Sequence, residues 1–72
     1  MTVSKPTISS LINRTGKNDK DIADNAGINI TTLYFIKTGK KVKEKTIWKL
    51  LNVLNKELGT NYDISEIDGL TY

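Results

Sequence analysis

Asp19, Asp21 and Asp24 place three carboxylates on one short stretch, in a chain of 72 residues that contains no histidine and no cysteine. Oxygen ligands at alternate positions could begin a calcium loop, but the central glycine and terminal glutamate of such a loop are missing here. Acids in the first turn of a helix are more simply accounted for by the helix dipole. Without imidazole or thiol the chain also lacks the groups that usually titrate or attack near neutral pH. No glycine-rich phosphate cradle is present. We therefore expect a protein that is not an enzyme and that uses no metal or cofactor.

The cationic groups are distributed unevenly. Residues 1–36 carry four basic and three acidic side chains, residues 37–49 carry six lysines and one glutamate, and residues 50–72 carry one lysine and four acids. A net charge of +3 thus conceals a central segment of net charge +5. Lys37, Lys40, Lys41 and Lys43 are the candidates for contact with phosphate or with an acidic partner, and Lys45 and Lys49 extend the cluster. A solvated lysine-rich loop is the competing account.

The other residues of interest lie just before these lysines. In the segment from Asn29 to Gly39, Leu33 and Ile36 share one side of a helix at i, i+3, which leaves Ile30, Thr31, Tyr34 and Phe35 facing outward. Tyr34 is rotated about 100° from Leu33 and Phe35 about 100° from Ile36, so both can hardly be buried together. An exposed apolar strip of Ile30, Tyr34 and Phe35 is expected. Such strips mark protein interfaces, and aromatic residues are enriched among interface hot spots. We add Thr38 to the candidate partner-binding set, and Trp48, which either extends the patch or is a partly buried core residue.

These residues require helices to position them. Pro6 suits a first turn beginning near Lys5, and Ile8, Leu11 and Ile12 give the first helix an apolar face that Gly16 terminates. A second helix starts behind Asn18 as N-cap and stops at Gly27, where a left-handed cap needs a residue without a Cβ. Ile28 then fills the elbow, and Asn29 caps the third helix, which Gly39 ends. In the fourth, Ile47, Leu50, Leu51, Leu54 and Leu58 form a stripe that must bury, with Gly59 as terminator. Asp63 and Glu66 have the spacing of a capping box, so a short fifth helix is expected up to Gly69. No strand alternation or internal repeat is visible. The reading is all-α, a compact bundle of four or five helices in one domain over residues 1–72. Its size is near the lower limit for a core without metal or disulfides. With no continuous apolar stretch near the start and none of about 20 residues elsewhere, a soluble, unexported protein is expected, and the lack of cysteine fits a reducing cytoplasm, which the resemblance given below would make that of a bacterial host.

The segment DIADNAGINITTLYFIKTG, Asp21 to Gly39, reads as two short helices joined by a tight turn. It resembles the helix-turn-helix of the XRE/Cro class of phage and bacterial regulators, with the motif at about residues 19–39 and the likeness running over roughly residues 7–67. The resemblance implies a lambda-repressor-like DNA-binding domain whose second motif helix enters the major groove. Two departures qualify that implication. Base edges are read best by Arg, Lys, Asn or Gln, and none stands at Ile30, Thr31, Tyr34 or Phe35. Where the family commonly has an amide that holds a phosphate, this chain has Asp19.

An apolar reading helix on this scaffold resembles the small anti-repressors, or modulators of repression, of temperate phage switches. What this implies is a protein that binds the helix-turn-helix domain of a phage repressor and masks its operator-binding surface, with DNA itself bound weakly or only together with the repressor. A Cro-like repressor using the lysines on phosphates and Thr31 and Tyr34 in the groove is the alternative. A toxin–antitoxin or host-factor inhibitor module that reuses the scaffold is a third. No small-molecule ligand and no membrane association are expected.

Overall fold

The interior is made by thirteen isoleucine, leucine and alanine side chains, and no polar residue is buried among those described. In the computed structural model, which describes residues 5–72, they are brought together by four α-helices and one 3-10 turn. The helices are α1 (Ile8–Thr15), α2 (Asp19–Ala26), α3 (Ile30–Lys37) and α4 (Glu44–Leu58), and the 3-10 turn is Ile64–Glu66. Residues 1–4, part of the expected domain, lie outside the described residues. No strand is present among the described residues, which make only the isolated bridges Thr7 to Asp68 and Lys41 to Thr71. No described helix is long and apolar enough to cross a membrane.

The longest helix organises the rest. On α4 the residues Ile47, Leu50, Leu51 and Leu54 are fully buried, because the spacing i, i+3, i+4, i+7 puts them on one side. That side meets α1, α2 and the 3-10 turn, while α3 packs against α1 and α2. Leu33 and Ile36 are the two residues by which α3 enters the core. With only eight residues, α3 depends on these contacts, since an isolated helix of that length is unstable in water.

The connection between α2 and α3 is short and fully specified by local chemistry. Gly27 takes a left-handed conformation with φ 69°, and its amide donates to the carbonyls of Ala23 and Asp24. The Ile28 amide donates to Ala23 at 3.0 Å, which turns the chain, and the half-buried Ile28 side chain packs on the core. The Asn29 side-chain oxygen then accepts the Thr31 amide at 2.8 Å to start α3. Asn18 does the same for α2 through the Asp21 amide, also at 2.8 Å.

Three boundaries differ from the sequence expectation. The first helix starts at Ile8, because the Thr7 hydroxyl accepts the Ser10 amide, while the Pro6 carbonyl is occupied by the amide of Asp68. The expected fifth helix is a single 3-10 turn. Its capping box, Asp63 with Glu66, is formed as the spacing suggests, but Ile67 is already extended and the chain is drawn alongside Thr7. Finally α3 ends at Lys37, two residues before Gly39, which closes the helix from outside it.

Candidate partner-binding face

Gly39 lies at the edge of the face whose residue types stood out in the sequence. With φ 81° it lets its own amide donate to Ile36 and the Lys40 amide donate to Phe35 at 2.9 Å, which caps the carbonyls at the end of α3. The lysine-bearing loop therefore leaves α3 directly beside Phe35. A Cβ on Gly39 would also approach the Gly69 carbonyl oxygen at 3.4 Å. Positive φ and this close neighbour together favour glycine here.

On α3 itself, Tyr34 is 50% exposed and Phe35 is 40% exposed. Thr31 and Thr38 are exposed beside them, and the Thr38 hydroxyl is engaged within its own helix, donating to the Tyr34 carbonyl at 2.8 Å. Ile30 departs from expectation. It is half-buried and packed against the core, as Ile28 is, instead of forming part of an exposed strip. Trp48 is likewise half-buried and packed on the core. The exposed apolar surface of α3 is thus an aromatic pair.

The lysines divide into two groups. Lys37 was expected among the cations available to a partner, but its ammonium lies 2.9 Å from the Asp19 carboxylate, with both side chains about one-quarter exposed. It also stands 5.7 Å from the centre of the Tyr34 ring. Asp19 is therefore partly neutralised rather than free to repel an anion. Lys40, Lys41 and Lys43 are exposed and make no ion pair with any described residue. The Lys40 ammonium lies 4.9 Å from the centre of the Phe35 ring, a cation–π arrangement that holds charge against the aromatic pair.

A cleft of about 600 Å³ opens on the other side of Tyr34, between the starts of α2 and α3. Asn18, Asp19, Lys20, Asp24, Ile28, Asn29 and Ile30 complete its lining. Charges of both signs and two helix starts meet there, so it has no single electrostatic character.

Two features of the face were not legible from residue types. One is the ion pair from Asp19 to Lys37, 18 positions apart. The other is the C-terminal segment, where the Val42 amide donates to the Thr71 carbonyl at 3.1 Å and fixes the lysine loop from behind. No protein-family model matches this chain, and no curated protein or solved structure shows significant similarity to it.

Proposed function

We propose that α2, its turn and α3 form a helix-turn-helix of the XRE/Cro type, and that this chain is an anti-repressor of a phage switch. It binds the helix-turn-helix domain of a phage repressor and blocks or alters operator binding. Tyr34 and Phe35 are the anchors, Thr31 and Thr38 flank them, and the half-buried Ile30 and Trp48 contribute what surface they expose. Lys40, Lys41 and Lys43 meet an acidic rim on the repressor, where they raise the encounter rate and orient the approach.

The observation that carries this reading is the exposure of two adjacent aromatic residues on the outward side of α3. A surface built to read DNA would place bidentate hydrogen-bonding groups there. The one long polar side chain in the last turn of α3, Lys37, is turned to Asp19. Burial of two aromatic rings against a protein partner uses what the face does offer.

Direct operator binding in the manner of Cro is the second reading. It is favoured by the three exposed lysines that follow α3 and make no ion pair with any described residue, which suit phosphate contacts. A mobility-shift assay separates the two. The phage repressor, its operator and this chain are combined, with each protein alone on the same DNA. Release or alteration of the repressor–operator complex, with no specific shift by this chain alone, supports the anti-repressor reading. A specific shift by this chain alone supports the Cro-like one.

A further inference from the structure

Among the described residues three large apolar side chains are exposed, Tyr34, Phe35 and Tyr72, and the third is far from the others in sequence. Tyr72 ends a segment that is held at several points. The Asp68 amide donates to the Pro6 carbonyl at 2.9 Å, Leu70 packs on the core, and Thr71 pairs with Lys41 across an isolated parallel bridge. The Val42 amide then donates to the Thr71 carbonyl. Lys41 is consequently bracketed on both sides. Through Lys40 it adjoins Phe35, whose carbonyl accepts the Lys40 amide, and through Thr71 it adjoins Tyr72.

We infer that residues 68–72 form a second wall of the partner-binding face, with Tyr72 contacting the same partner as Tyr34 and Phe35, and with an acidic segment of that partner seated over Lys40 and Lys41 between the walls. The inference rests on the proposed function and adds to it the chemistry of the bound segment. Charge complementarity selects the occupant. Neither Lys40 nor Lys41 has a carboxylate partner among the described residues, and Lys40 is held over the Phe35 ring. A carboxylate entering between aromatic side chains is partly shielded from water, which strengthens its attraction to both ammonium groups. The role assigned to Thr71 is positioning, since its backbone fixes the loop that carries Lys41.

The test is a calorimetric titration of the repressor's helix-turn-helix domain with the wild-type chain, Tyr72→Ala, Tyr72→Phe and Phe35→Ala, with thermal melts of each. Tyr72→Ala should melt like the wild type and bind about fivefold more weakly or worse, a loss of about 1 kcal/mol or more. Tyr72→Phe should bind like the wild type, because the ring makes the contact. Carbodiimide coupling of the complex should join Lys40 or Lys41 to an Asp or Glu of the repressor domain. Wild-type affinity in Tyr72→Ala, with binding lost in Phe35→Ala, would overturn the second wall and leave the proposed function standing. Coupling only through other lysines would overturn the acidic occupant. No binding by the wild-type chain would overturn the proposed function and this inference together.

Discussion

The Lys37 ammonium lies 2.9 Å from the Asp19 carboxylate, tying the last turn of α3 to the first turn of α2. The contact spans both ends of the unit that displays Tyr34, and it removes one cation from those available to a partner. It also accounts for an acid at a position where a phosphate-binding surface would avoid one.

Because both side chains keep about one-quarter of their exposure, the pair contributes modestly. We predict that Asp19→Asn lowers stability by roughly 0.5–1 kcal/mol. Thermal melts at low and high salt check this, and the difference from wild type should shrink as salt rises. A larger loss that persists in high salt would mean that Asp19 acts through its fold contacts rather than its charge.

The isolated chain should bind duplex DNA weakly and with little sequence preference, on the order of 10⁻⁴ to 10⁻⁶ M near physiological salt. The reason is the lack of Arg, Asn or Gln on the outward side of α3, combined with the loss of Lys37 to Asp19. Fluorescence anisotropy with operator and scrambled duplexes measures it. Nanomolar, operator-specific binding would favour the Cro-like reading.

Replacing Lys40 and Lys41 together by glutamine should slow association with an acidic repressor surface and flatten its salt dependence. Dissociation should also quicken, because a carboxylate seated over Lys40 and Lys41 between the aromatic side chains is partly shielded from water and loses its charge partners. Stopped-flow kinetics at low and moderate salt give both rates. Equal association rates for variant and parent at low salt would remove the steering role.

The helical register was legible in the sequence because the apolar residues repeat at the helical period and glycine and asparagine mark the ends. The α4 stripe, the Asn18 and Asn29 caps and the capping box at Asp63 all rest on local rules that act over a few residues. What escaped reading depends on residues distant in the chain. The Pro6 carbonyl accepts the Asp68 amide and Thr7 is extended as the N-cap, so the first helix starts later than its proline suggests. Asn55 binds the loop after α4, accepting the Tyr62 amide at 2.9 Å and donating to the Tyr62 carbonyl at 3.0 Å, which no spacing rule announces. On the candidate face, the exposure of Tyr34 and Phe35 followed from their angles relative to Leu33 and Ile36. The half-burial of Ile30 did not, because it depends on packing against the core.

The central claim is that the aromatic pair binds a partner and does not hold the fold. Thermal melts and a binding titration with the repressor's helix-turn-helix domain, on the same samples of Tyr34→Ala, Phe35→Ala and Leu33→Ala, test it most directly. Leu33 is fully buried, so its truncation should cost roughly 2–5 kcal/mol and leave this small domain largely unfolded. Tyr34→Ala and Phe35→Ala should melt close to the wild type and lose about 2 kcal/mol or more of repressor binding, which is about thirtyfold in affinity. Aromatic variants that keep both their fold and full affinity for the repressor would contradict the account.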